Sequence, residues 1–214
     1  MRRIGRHGCG PAKTIRWGDS AHLQEVLIDI GETLYVFRRE AWREWLENNF
    51  DTAREIWLIY PNKASGEPRI LYNDAVEEAL CFGWIDSIIK KLDSVHAVQR
   101  FTPRNPKSGY SQPNKERLRW LADEGLLHSS VMASVKNILK EKFVFPEDIL
   151  RVIRANAQAW KNFQAFSPAY QRIRVAYIDI ARKRTEVYES RLRNFIKATE
   201  RGKQIGYGGI EKYF

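Results

Sequence analysis

An aspartate, two arginines and a run of hydroxyl and amide side chains carry the chemistry this sequence offers. Asp86 stands in "CFGWIDS" two residues after Trp84, Arg100 and Arg104 fall in "QRFTPR", and Ser108, Ser111 and Asn114 follow in "PRNPKSGYSQPN". A guanidinium is a planar fork that grips a carboxylate or phosphate at two points, so two arginines near hydroxyls and a helix start have the composition of an anion cradle. Asp86 follows an apolar helix pattern that closes at Gly83, and the negative end of a helix dipole disfavours a carboxylate there unless a cation or a donor compensates. Arg100 or Arg104 can supply that cation in two ways. One is an ion pair that fastens the helix to the next ribbon; the other is a polar pocket in which Asp86 orients arginines that bind an anion. Trp42, Trp45, Trp57, Trp84 and Trp120 sit in apolar patterns that read as core, and Trp84 is the one best placed to line such a pocket instead. Ser111 and Asn114 are also explained as turn and cap residues.

Other chemistries lack their partners. No His and Asp arrangement accompanies Ser108 or Ser111, and His96, the nearest histidine in sequence, sits on a hairpin, so a hydrolytic triad is not expected. His7 and Cys9 are two metal ligands of an incomplete set, and no metal site is expected. Cys9 and Cys81 are the only cysteines, too few and too differently placed for a disulfide framework.

The elements that must position these residues alternate at first. "ETLYVF" reads as a strand and "RREAWREWLENN" as a helix with Ala41, Trp42, Trp45 and Leu46 on one face. "EIWLIYP" is a continuous apolar run of strand length, as in a strand covered on both sides. The next helix carries Val76, Ala79 and Leu80 inward, with Asp74 and Glu77 spaced as a capping box. "IIKKLDSVHAVQRFT" reads as a hairpin turning at Leu92, Asp93 and Ser94, and Asn114 is a candidate cap for a helix ending at Gly125. From residue 126 strand signals give way to helices: one through Val131 and Val135, one opened by Pro146, an aromatic one with Trp160 and Phe163, one capped by Ser167 with Pro168 at its first position, and a last one capped by Thr185. The expected fold is α+β, a small mixed sheet with packed helices followed by an all-helical C-terminal module. Its divisions are a basic leader over 1–30, an α+β core over 31–125, a helical module over 126–205 and a tail over 206–214.

The net charge of +10 is concentrated. Residues 1–19 hold five basic side chains and one acidic, and residues 167–203 hold ten basic and four acidic, so acidic partners are favoured. The segment from Arg100 to Arg119 adds six cations against one glutamate, which keeps nucleic acid as a candidate partner although none of the usual recognition motifs is present. The longest apolar runs fall far short of the roughly 18 residues a membrane span needs. "MRRIGRHGCG" has the charge of an export signal but no apolar region follows it, which points to the cytoplasm.

"AWREWLENN", "EIWLIYPNK", "YNDAVEEALCFGWIDS", "LDSVHAVQRFTPR" and "KSGYSQPNKERL" resemble, in order, the blocks of the bacteriocin-protection family, also called the YdeI or OmpD-associated family. The segment from "FPEDILRVIRAN" to "NFIKATERGK" resembles its helical end, so the likeness runs from Leu34 to Lys203. The resemblance implies a small α+β protein ending in helices and linked to tolerance of bacteriocins or antimicrobial peptides. It implies no cofactor and no catalytic residue set. Where the family loop commonly has Trp, this chain has Tyr110, which keeps a stacking face and changes its hydrogen bonding. Three functions follow as expectations: a binding module whose pocket accepts a small anion, a nucleic-acid-binding protein using the leader and the last helices, and an enzyme of unassigned reaction at Asp86, Arg100, Arg104 and Ser111.

Overall fold

The computed structural model describes residues 29–206. The leader with His7 and Cys9, its "SAHLQEVLIDI" piece up to residue 28, and residues 207–214 lie outside the described residues.

The fold is α+β. Strand β1 (Thr33–Leu34) runs parallel to β2 (Ile56–Pro61), and helix α1 (Arg39–Asn49) makes the crossover between them. After α2 (Tyr72–Cys81) the chain enters the hairpin of β3 (Trp84–Lys91) and β4 (His96–Pro103), giving a mixed sheet in the order β1-β2-β4-β3. The "ETLYVF" strand is thus only two residues long, and Tyr35 leaves it to donate a hydrogen bond to the Pro68 carbonyl at 2.6 Å. Conversely, the expected hairpin begins earlier than "IIKK": the chain is already extended at Trp84, so Asp86 belongs to a strand and not to a loop.

Helices α1 and α2 cover one face of the sheet because their apolar sides match it. Trp42 stacks on Trp45 with ring centroids 5.3 Å apart and meets Phe101 edge-on at 5.4 Å, while Trp45 meets Trp84 edge-on at 5.7 Å. The four aromatics fill the first core with Leu46, Ile56, Leu58, Leu80 and Phe101's neighbours on α3 (Gln112–Asp123) and α4 (Ser129–Lys140), namely Leu118, Leu121, Val131 and Val135. A second core belongs to α5 (Glu147–Arg154), α6 (Ala157–Ala165), α7 (Pro168–Asp179) and α8 (Thr185–Glu200), with Ile149, Ile153, Phe163, Tyr170, Val175 and Phe195 at its centre. The helical unit around this core therefore has four helices, and α4 packs on α3 into the first core.

Three helix starts differ from the sequence reading. Helix α2 begins at Tyr72 with Leu71 in the cap position, so Asp74 and Glu77 do not form a capping box. Their carboxylates turn to Arg39 instead, at 3.3 and 2.8 Å, and Glu78 is shared by Arg39 and by Arg43 Nη1 at 2.8 Å. Glu77 and Glu78 are buried, and a buried carboxylate is tolerated only when it is paired, which outweighs one capping bond. Helix α3 begins at Gln112 with Ser111 in the cap position, because Pro113 fits a first turn where its missing N–H costs nothing. Asn114 then lies inside the helix and accepts from Arg117 Nη1 at 2.8 Å. Thr185 is likewise the first residue of α8, with Arg184 in the cap position. The Ser167 cap is as expected, its hydroxyl accepting from Tyr170 N at 3.2 Å.

Candidate anion-binding site

Register in the β3–β4 hairpin sorts the candidate residues. Asp86 pairs with Phe101, so it shares the helix-covered face with Phe101 and Gln99, and Arg100 points to the other face. There Arg100 grips Glu55 through Nε at 2.8 Å and through Nη2, and the Trp57 indole donates to the other Glu55 oxygen at 3.1 Å. Burial pushes the Glu55 carboxyl up, but the Trp57 donor and the Arg100 charge outweigh it and hold the group below the usual carboxylate range. Arg100 is therefore already satisfied by a carboxylate that the sequence reading did not consider.

Asp86 is compensated by neutral donors. Its Oδ2 accepts from the Tyr72 hydroxyl at 2.9 Å and from Gln99 Nε2 at 2.8 Å, and among the described residues it makes no ion pair. Beside it the Tyr60 hydroxyl is buried without a hydrogen-bond partner among the described residues, and burial together with the Asp86 charge pushes that phenol up. The expected convergence of Asp86 with Arg100 and Arg104 does not occur, in either of its two forms. Trp84 is fully enclosed, its indole N–H donating to the Phe50 carbonyl at 2.9 Å, so it belongs to the core and lines no pocket.

Arg104 is placed differently. Its backbone N–H donates to the Gly83 carbonyl at 2.9 Å, which ties the end of β4 to the turn between α2 and β3. Gly83 has φ +73, a left-handed conformation that a side chain would strain. The following loop closes through Ser108 N to the Asn105 carbonyl at 3.0 Å and folds back over the arginine, whose Nη2 donates to the Ser108 and Gly109 carbonyls, both at 2.6 Å. The guanidinium carbon lies 3.6 Å from the centre of the Tyr110 ring. Ser108 contributes its carbonyl here, not its hydroxyl. Gly83, Arg104, Pro106, Tyr110 and Ser134 of α4 enclose a hollow of about 160 Å³. Arg104 lines this hollow, and its Nε and Nη1 have no hydrogen-bond partner among the described residues.

Tyr110 also lines a second hollow of about 220 Å³, where Ser111, Gln112 and Pro113 at the start of α3 face Ile173, Ala176, Tyr177 and Ile180 of α7. Of the residues singled out in the sequence, Arg104, Tyr110 and Ser111 thus come together, Ser108 joins through its backbone, and Trp84, Asp86, Arg100 and Asn114 are elsewhere. Gly83 and Ser134 were missed as wall residues because nothing local announces long-range contacts, and the α7 residues because theirs reach across the two cores.

Two family models match the chain. Residues 142–202 match the model described as Bacteriocin-protection, YdeI or OmpD-Associated. That match covers the helical end of the chain and less than a third of its length. The upstream blocks from "AWREWLENN" to "KSGYSQPNKERL" fall in a separate match, residues 34–134, to a domain of unknown function (DUF8412). The matched segment includes α5 to α8, and its α7 supplies one wall of the second hollow. The searches of curated proteins and of solved structures gave no significant match. Among the described residues no group of His, Cys, Asp and Glu side chains could hold a metal ion, and no helix is long and apolar enough to cross a membrane.

Proposed function

We propose that the protein is a cytoplasmic binding module linked to bacteriocin or antimicrobial-peptide tolerance, and that it accepts a small anion at Arg104. The match over 142–202 supports the link to tolerance. The observation that carries the anion reading is the contrast between the two arginines: Arg100 is neutralised by Glu55, and Arg104 borders a hollow with no carboxylate partner among the described residues. Stacking on Tyr110 and two backbone carbonyls hold the guanidinium in place without neutralising it. The net charge of +10 opposes long-range capture of cationic peptides, so tolerance on this reading is indirect, through the bound anion.

A nucleic-acid reading has less support, because several arginines of the last helices are occupied. Arg172 pairs with Glu116, Arg182 with Asp148 and Asp179, and Arg191 donates to the Tyr177 carbonyl. Calorimetric titration with inorganic phosphate, sulfate and acetate tests the anion site. Arg104→Ala is expected to weaken binding by about 10-fold or more, the worth of a hydrogen bond to a charged group. Arg104→Lys, which keeps the charge and loses the fork, falls between. Equal affinity in all three proteins refutes the assignment.

A further inference from the structure

We infer that the ligand is an amphiphilic anion, a carboxylate or phosphate ester carrying an apolar body, whose head meets Arg104 and whose body lies in the hollow between α3 and α7. The inference rests on the anion reading and adds the chemistry of the rest of the molecule. Its basis is that Tyr110 is the common wall of two hollows of opposite character. On one side the ring carries the Arg104 guanidinium at 3.6 Å. On the other it borders a space of about 220 Å³ walled by Pro113, Ile173, Ala176 and Ile180 and by the Tyr177 ring.

That second space is not a gap waiting for its own side chains to collapse. Tyr177 is pinned, with the Arg191 guanidinium 3.7 Å from its ring centre and the Arg174 guanidinium at 5.2 Å on a buried side chain. Ile173 is fully buried behind it. At the rim Ile180 keeps 76% of its surface exposed, an apolar side chain directly beside an apolar hollow. Small-molecule sites combine a mostly apolar lining with a few placed polar groups, and this pair of hollows divides those roles between Pro113, Ala176 and Ile180 on one side and Arg104 on the other. A space of this size suits a short alkyl chain or a single ring, which commits the proposal to a free amphiphile and not to a lipid in a bilayer.

The test is a titration of the full chain with acetate, butanoate, hexanoate and octanoate, with inorganic phosphate as the head-only probe. Affinity is expected to rise about fourfold per added methylene, the transfer free energy of one CH₂, until the hollow is filled. Ala176→Phe, which fills the hollow, is expected to abolish the chain-length dependence. Ile180→Ser, at an exposed position, is expected to reduce the dependence without affecting folding. Phosphate and octanoate binding with equal affinity would overturn the amphiphile and leave the anion reading standing. Failure of every anion would remove both. Sedimentation with phosphatidylglycerol vesicles in the absence of octanoate binding would overturn the free-amphiphile assignment in favour of a lipid surface.

Discussion

At the scale of single residues, the structure separates a carboxylate and an arginine that the sequence placed together. Asp86 and Arg100 are on opposite faces of one hairpin, each with its own partners: Tyr72 and Gln99 for the first, Glu55 for the second. Asp86→Asn is therefore expected to cost about 1 kcal/mol, since an amide oxygen in the place of Oδ2 can accept from Tyr72 and Gln99 but without the charge that strengthens both bonds, and to leave anion affinity unchanged. Denaturant unfolding and phosphate titration of the same sample check both halves. The opposition was legible in the sequence. Strand alternation puts Gln99 and Phe101 on one side and Arg100 on the other once "VHAVQRFT" is read as a strand, and the buried Phe101 fixes which side faces the helices. Starting the hairpin only at "IIKK" left Asp86 outside that alternation. The partnership of Arg100 with Glu55, 45 positions away, had no local signal.

At the scale of elements, charge does structural work that composition alone does not reveal. Glu77 and Glu78 on α2 are buried against Arg39 and Arg43 on α1. Burial disfavours the charged Arg39, but the two glutamates more than reverse this and raise it above its ordinary value, so its guanidinium stays charged. Removing one partner leaves the others charged and enclosed: Glu78→Ala is expected to lose on the order of 3 to 5 kcal/mol in denaturant unfolding. Burial also pushes the neighbouring Cys81 thiol up to about 12, so thiol-specific reagents are expected to label it only on unfolding. A second device closes the β3–β4 hairpin, where His96 lies 2.8 Å from Asp93 and 2.6 Å from Glu67. Hydrogen bonds to Glu67 and Asp93 raise the His96 value above its ordinary one. Its contribution to stability is therefore complete below about pH 6.5, the unfolded value, and disappears as pH rises through the raised folded value. Thermal melts of His96→Gln and the parent are expected to differ at acid pH and to converge at alkaline pH; a constant difference would exclude the linkage. Helix and strand existence was readable from periodicity throughout, and the Ser167 and Pro168 start of α7 was readable to the residue. The starts of α2 and α3 were not, because long-range pairing and proline placement overrode the local capping signals.

At the scale of the whole molecule, two cores meet along α3 and α7, and one buried glutamate joins them. Glu116 accepts from Arg172 Nε and Nη2, both at 2.7 Å, from Arg119 Nη1 at 2.8 Å and from Gln112 Nε2 at 2.6 Å. Burial pushes this carboxyl up, but Arg172 and its neighbours prevail and hold it low. Glu116→Gln is expected to destabilise the contact and to broaden or split the thermal transition as the cores unfold separately. The same contact brings α7 to Tyr110 and so builds the apolar hollow, which explains why sequence reading found Arg104 and its loop but not the helix opposite. The account turns on Arg104, and side-chain NMR of the full chain titrated with inorganic phosphate addresses it most directly. The account predicts a saturable shift of the Arg104 Nε–H and the Tyr110 ring resonances, with Arg100, Tyr72 and Gln99 unmoved. A titration that leaves Arg104 unchanged, or that centres on Arg100, would contradict it.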